Sequence, residues 1–423
     1  MLTLHTLRND RDSLIKAFKS RNLDVTETVD RILAIDQDRR QTQKALDDLK
    51  QSQNVASREI GELFKSGQRE VAEEKKAAMG DIKERIHTLE QAMRTLEEQQ
   101  LEGLLELPNR PHPSVPVGAS DKDNVVLSEE GALPEMGEDA LPHWELCERY
   151  GLIDFELGTK ITGAGFPVYR GKGARLQRAL IAFFLDRAVE AGYEEFIPPL
   201  LVNSASGQGT GQLPDKEGQM YHCAEDDLYL IPTAEVPLTN IHRDVVHKSD
   251  DLPIKLCGYT PCFRREAGSY GKDVRGLNRL HQFDKVEIVQ IEHPDRSYAT
   301  LDAMVEHVRD LLRALELPFR TLRLCGGDLS FASSLTFDLE VWSAAQGRWL
   351  EVSSISNFET FQANRLSCRY RGADGKNQLV HTLNGSALAL PRIVAALLEN
   401  NQTSDGITVP EALRPYTGFS IIN

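Results

Sequence analysis

From Ile32 to Leu63 side chains recur at spacings of three and four without a slip: Ile32, Ile35, Arg39, Thr42, Leu46, Leu49, Gln53, Ala56, Ile60 and Leu63. Seven of these ten positions are apolar, the pattern of a coiled-coil seam with three polar interruptions. Ser66-Gly67-Gln68 breaks it, and a second seam runs through Met79, Ile82, Ile86, Leu89, Met93 and Leu96. Pro108 ends the helical region, and Pro111, Pro113 and Pro116 prevent its resumption. Two seams of similar length about a short break predict an antiparallel helical hairpin. About 35 residues at 1.5 Å rise make an arm of roughly 50 Å. By pattern alone, such an arm suits dimerisation or spacing as well as contact with RNA.

The chain of 423 residues is too long for one ordinary core. Its division is expected at 1–107 for the helical domain, 108–140 for a linker rich in Pro, Gly, Ser and acid, and 141–423 for a globular body. Helical periodicity over Leu176–Glu190, Tyr298–Leu315 and Ala387–Glu399 brackets β-rich runs at Leu228–Ile231, Val286–Ile291, Phe337–Val341 and Trp349–Ser353. Strands gathered between helical zones predict an α+β body on an antiparallel sheet rather than a βαβ repeat. Gly207-Gln208-Gly209-Thr210-Gly211 lacks a following Gly-Lys-Ser/Thr and reads as a loop, not a phosphate-binding Walker segment.

No apolar run reaches the roughly 18–20 residues that span a bilayer. Met1-Leu2-Thr3-Leu4-His5 does not open like a secretory signal, so a cytoplasmic location without membrane attachment is expected. Six scattered cysteines without a Cys-x-x-Cys pair predict reduced structural thiols and no cysteine-bound metal. The net charge of −15 does not exclude RNA. Residues 31–102 carry 13 basic and 15 acidic side chains and residues 1–30 five of each, so nearly all the negative excess lies in the body.

The chemistry is concentrated in a few segments. Thr260-Pro261-Cys262-Phe263-Arg264-Arg265-Glu266-Ala267-Gly268-Ser269 offers a cationic clamp for phosphate and carboxylate, and Thr233-Ala234-Glu235 upstream offers an anionic seat for an amine. A zwitterion that must be brought up to ATP needs both. Joining its carboxylate to the α-phosphorus of ATP brings two anions together, so the barrier is electrostatic and orientational and needs no side-chain nucleophile. A planar guanidinium bridges carboxylate and phosphate oxygens better than an ammonium. Further on, alternation predicts a strand with Arg279, His281, Phe283, Lys285 and Glu287 on one face: cation, ring and carboxylate together. Glu351-Val352-Ser353-Ser354 supplies hard oxygen donors of the kind Mg²⁺ takes when substrate phosphates complete its shell.

The Phe-Arg-x-Glu segment at Phe263–Glu266 is similar to the second signature motif of class II aminoacyl-tRNA synthetases, and Thr233-Ala234-Glu235 resembles the amino-acid-binding segment of the seryl-tRNA synthetases. Asn384-Gly385-Ser386-Ala387-Leu388-Ala389-Leu390-Pro391-Arg392 resembles the third motif, with Pro391 where many relatives have glycine. The helix Leu176–Glu190 with the segment ending in Pro198-Pro199 resembles the first. The resemblance covers essentially the whole chain and implies a homodimer with Pro198 at the core of its interface. It implies the class II fold, ATP-dependent activation of L-serine to seryl-adenylate with Mg²⁺, and transfer to the 3′ end of tRNA(Ser) and, where an organism has it, of tRNA(Sec).

Site roles follow from the same resemblance. Arg264 is implied as the bridge between carboxylate and α-phosphate, Arg392 at the phosphates, Arg279 at the terminal phosphate, Phe283 against adenine, and Glu266 at the adenine amino group or otherwise helping to fix the ATP. Arg265 lies within the ATP-binding segment but replaces the serine often found there, a departure that is tolerable if its side chain points outward. Thr233, Ala234, Glu235, Arg264, Glu287 and Ser386 are implied to hold serine. Glu351, Val352, Ser353 and Ser354 are implied at ATP, with Glu351 and Ser354 as metal ligands. Ser269–Leu277 resembles a motif loop that closes over ATP, and the arm is implied to hold the tRNA's long variable arm, with Arg39, Lys44, Lys50, Lys75, Lys76 and Arg85 as candidates by charge. The rival enzymatic reading is a paralogue activating a small amino acid for a carrier protein; the non-enzymatic rival is a coiled-coil scaffold with a degenerate ligand domain.

Overall fold

The computed structural model describes residues 1–137, 140–215, 217–266 and 275–423, and the chain forms two compact units. The smaller comprises Leu2–Lys16 and Asp24–Pro108 and is dominated by the helices Thr26–Lys65 and Arg69–Glu106. The break at Ser66-Gly67-Gln68 is the turn, where Gly67 has a φ of +83° that favours glycine. Lys75 pairs with Glu59, and Lys50 reaches Glu90 at 2.8 Å, so the helices run antiparallel. Ile32, Leu46 and Ile60 of the first seam and Ile86 and Met93 of the second are buried between them. At the root a Cβ on Gly103 would stand 2.7 Å from Ile32 Cγ1, so the helices approach there more closely than a larger residue allows.

Within the span of the first seam, Ile32 to Leu63, one buried position lies off the predicted spacing. Asp36, with no exposed side-chain surface, receives Arg8 through Nε at 2.7 Å and Nη2 at 2.6 Å, with Arg40 Nε at 3.1 Å. The carboxylate is tolerated inside because a bidentate guanidinium satisfies it. Asp36→Ala removes these hydrogen bonds but leaves Arg8 and Arg40 partly exposed and able to be hydrated, so it is expected to destabilise this unit by about 1–2 kcal/mol. A urea titration followed by circular dichroism checks this, and an unmoved midpoint would deny the pair any weight.

The larger unit comprises Met1, Ala17–Leu23 and Asn109–Asn423. Its main sheet has eight strands: β1 Val125–Glu130, β2 Glu194–Glu195, β3 Ile254–Phe263, β4 Gln282–Glu292, β5 Phe319–Arg323, β6 Leu335–Ser343, β7 Arg348–Asn357 and β8 His381–Ala389. Across the sheet the order is β1-β5-β6-β7-β8-β4-β3-β2, antiparallel except for the short β2 beside β3. The helices Gly171–Glu190, Ser297–Ala314 and Leu390–Asn400 contribute Leu180, Phe183, Val308, Leu312, Ile393 and Leu397 to the core packed with these strands. This is the expected α+β architecture.

Three local expectations change. Residues 125–130, read as linker, form an edge strand, because their pairing with β5 outweighs a flanking composition typical of loops. Residues 387–389 close strand β8 instead of opening a helix: Gly385 is paired on both sides, with Ile288 of β4 and Ile355 of β7, and the helix starts only at Leu390. Pro391 falls in the first turn, where its missing N–H costs nothing. Strand β4 begins at Gln282, so Arg279 and His281 precede it, while Phe283, Lys285 and Glu287 keep the predicted alternation. No helix among the described residues is long and apolar enough to cross a membrane.

Candidate active site

Strand β4 lies between β3 and β8 and is buried from Lys285 to Glu292, so any polar side chain there needs a partner or a ligand. Glu287, 2% exposed, sits opposite Gly258 on β3 and Ser386 on β8. Lys285, two residues back, forms an ion pair with it. Thr233, on the segment leading into the helix Glu235–Asn240, donates its hydroxyl to Glu287 Oε2 at 3.1 Å and accepts the Glu235 N–H at 3.2 Å. Glu235 Oε1 accepts from Gln362 Nε2 at 2.6 Å. Burial, reinforced by the charge of Glu287, pushes the Glu235 carboxyl up to about 7. Two carboxylates therefore share one lysine in a largely dry pocket, a charge pattern that favours an incoming cation. Ala234 is buried among Leu238, Leu256 and Val289 and offers the pocket no side-chain chemistry.

The cationic half lies along the same strands. Arg264 follows the end of β3; its N–H donates to the His281 carbonyl at 3.0 Å, and its guanidinium lies 5.2 Å from the centre of the Phe283 ring. Arg279 pairs with Glu266. Arg392, in the first turn of Leu390–Asn400, donates to the Glu351 carbonyl at 2.7 Å and the Asn278 carbonyl at 3.3 Å. Arg265 is exposed and its N–H donates to the Gln219 carbonyl. In the four-residue segment on β7, Val352 is in the core and Ser353 is spent on the Ser386 carbonyl at 2.6 Å. Glu351 and Ser354 are the two side chains of that segment left available to a ligand. Ser354 sits opposite Asp338 on β6. Asp338 Oδ1 is buried without a partner among the described residues. Burial, together with Glu351, pushes the Asp338 carboxyl far above the usual carboxylate range. Residues 267–274, most of the predicted motif loop, lie outside the described residues.

Residues 1–111 match the seryl-tRNA synthetase N-terminal domain, and residues 221–401 match the tRNA synthetase class II core domain (G, H, P, S and T). A serine–tRNA ligase from Salinibacter ruber is 55% identical over 424 residues, covering 100% of this chain and 99% of its own. One from Chlorobium luteolum is 48% identical over 429 residues, with 100% and 99% covered. The chain belongs to the seryl-tRNA synthetases. A crystal structure of the seryl-tRNA synthetase from Pyrococcus horikoshii complexed with ATP superposes with a TM-score of 0.93 at 35% identity, covering 100% and 99% of the two chains.

In this seryl-tRNA synthetase several residues without a role in the sequence reading prove to shape the site. Alternation puts Lys285 on the same strand face as Glu287, but only the fold reveals that the two are paired. Gln362 stands 127 residues from the Glu235 it bonds, a separation no local motif can express. Asp338 lies inside a run with no signature beyond strand alternation. The buried His143 holds Glu399 through Nδ1 at 2.7 Å and accepts the Leu277 N–H at Nε2 at 2.9 Å, tying down the last residue of the predicted motif loop. His281, left unassigned, bonds Tyr221 at 3.0 Å and stacks on Phe166, a structural arrangement.

Proposed function

We propose that the chain activates L-serine with ATP, releasing pyrophosphate, and passes the seryl group from the adenylate to the 3′ end of tRNA(Ser), extending to tRNA(Sec) where that tRNA exists. One observation carries the reading: a buried anionic pocket of Glu235, Glu287 and Thr233 faces Ser386 across the β4–β8 pairing, with Arg264 at the end of the adjoining strand. The ammonium of serine goes to Glu235 and the Thr233 hydroxyl, and the serine hydroxyl to Glu287 and Ser386. Arg264 draws the carboxylate and the α-phosphate together. A carboxylate oxygen bonds to the α-phosphorus as the bond to the pyrophosphate oxygen breaks, and Arg279 and Arg392 offset the charge on the departing phosphates. Phe283 stacks on adenine and Glu266 meets its amino group, once Arg264 leaves the ring and Arg279 leaves the carboxylate for the nucleotide.

The residues present suit Mg²⁺. Glu351 and Ser354 are hard donors on one strand, and the buried Asp338 on the next has an oxygen without a partner among the described residues, a further hard donor once an arriving cation displaces its proton. Bound with ATP, the metal supplies charge neutralisation at the phosphates. A homodimer in the cytoplasm completes the reading. Ile197, 90% exposed, precedes Pro198 and Pro199 beside the edge strand β2, a surface that asks for an apolar cover.

The carrier-protein rival has no support, since its paralogues lack the long arm and this chain keeps it. The scaffold reading would need lost arginines, yet Arg264, Arg279 and Arg392 are present. Pyrophosphate exchange with each of the twenty amino acids, with and without tRNA, tests the assignment. Serine alone is expected to support rapid exchange, without requiring tRNA. A faster rate with alanine, glycine or threonine would overturn it, because the paired hydroxyl partners should reject alanine and glycine, which leave them unsatisfied, and the extra methyl of threonine must be excluded by sterics.

A further inference from the structure

We propose that Gln362 is a positioning residue for the substrate ammonium: its side-chain amide holds the Glu235 carboxylate in place from behind. The proposal rests on the assignment of Glu235 to that ammonium. Gln362, 1% exposed, lies on the helix Thr360–Leu366 and reaches three elements at once. Its Nε2 donates to Glu235 Oε1 at 2.6 Å and to the Thr210 carbonyl at 3.1 Å, and its Oε1 accepts from the Thr382 hydroxyl at 2.7 Å. A main-chain carbonyl and a carboxylate both only accept, so the amide has one permitted orientation. Flipped, it would aim its oxygen at two acceptors inside a dry site.

The charged groups acting on Glu235 are Glu287, which disfavours its ionised form, and Lys285, which favours it, both from β4. Strand β8 and the helix Thr360–Leu366 bring the neutral amides of Asn384 and Gln362, both of which favour the ionised form, and the hydrogen bond to the carboxylate is that of Gln362 at 2.6 Å. Lys285 is already paired with Glu287. Gln362 is therefore the donor that keeps a nearly buried carboxylate charged and fixed for an arriving ammonium, and its bond to Thr210 couples that carboxylate to the end of the glycine-rich helix Ser204–Thr210.

The test is the KM for serine and for ATP in pyrophosphate exchange from pH 6 to 9, in the full-length protein, for Gln362→Leu, Gln362→Glu and Glu235→Gln. In the unaltered enzyme the serine KM should climb as pH falls through about 7, as Glu235 takes up its proton. Gln362→Leu removes a donor to the charged form, so the climb should begin at higher pH, and at neutral pH the serine KM should rise about tenfold or more with the ATP KM unchanged. Gln362→Glu keeps the shape and the acceptor for Thr382 but sets a second acid against Glu235, so it should show the same split more strongly. It also serves if the leucine variant fails to fold. If Glu235→Gln raises the serine KM but both Gln362 variants leave it, and its pH midpoint, unmoved, the inference is wrong and the assignment of Glu235 stands. Equal rises in both KM values with an unmoved midpoint would mean that Gln362 only supports the fold. If Glu235→Gln itself leaves the serine KM unchanged, the underlying assignment fails first.

Discussion

Arg264→Ala should slow serine-dependent ATP–pyrophosphate exchange by about 10²–10³-fold, the loss expected on removing one preorganised donor from a developing charge, or about 2.7–4 kcal/mol of barrier. The reaction joins two anions, and Arg264 follows the end of β3, the strand whose Gly258 lies opposite Glu287, with no acidic side chain paired to it among the described residues. Arg279 is held by Glu266, and Arg392 lies near Glu351. The guanidinium rests instead over the Phe283 ring, a weak contact that it can exchange for substrate oxygens. Its backbone bond to the His281 carbonyl does not depend on the side chain, so the variant should fold and melt as the parent does. Arg264→Lys keeps the charge but loses the bidentate fork and should fall between the two. An exchange rate unchanged by the alanine substitution would remove Arg264 from the mechanism.

Shortening the arm should separate the two half-reactions. Lys50 and Glu90 face each other at 2.8 Å across the hairpin, so residues 51–89 can be replaced by a short glycine-containing turn without unpairing its lower half. Exchange measured on the shortened protein should stay near the parent rate. The kcat/KM for tRNA charging should fall by about 100-fold or more, the effect of losing two charge-assisted contacts of about 1.5 kcal/mol each. Among the basic candidates, Lys50, Lys75 and Lys76 are held by Glu90, Glu59 and Glu73 on solvent-exposed surfaces. Such pairs are worth little in water, so exchanging glutamate for a phosphate costs little. Normal charging by the shortened enzyme would refute the assignment of the arm to tRNA.

Much of this was legible before any coordinates. The hairpin is a local, repeating pattern, and its turn falls at the Ser66-Gly67-Gln68 break. The motif residues Glu287 and Ser386 were named from separate segments, and their direct opposition on β4 and β8 agrees with a shared ligand. Where the reading slipped, the cause was long-range pairing. Val125–Glu130 has the flanks of a linker and becomes strand through β5, while Ala387–Ala389 has helix-like composition and is held extended at the end of β8. Asp36 was invisible for a related reason: a seam pattern has no means of announcing a buried acid whose cation, Arg8, comes from another helix.

The amino-acid order by itself determined which side chains are available for binding a zwitterion and a nucleotide, because charge, ring and hydroxyl are properties of single residues at short spacings. Tertiary structure alone decided how those groups constrain one another: Lys285 on Glu287, Gln362 behind Glu235, Asp338 beside Ser354. Each of these pairs acts through burial, and whether a charge is buried depends on every element packed around it, not on its neighbours in the chain.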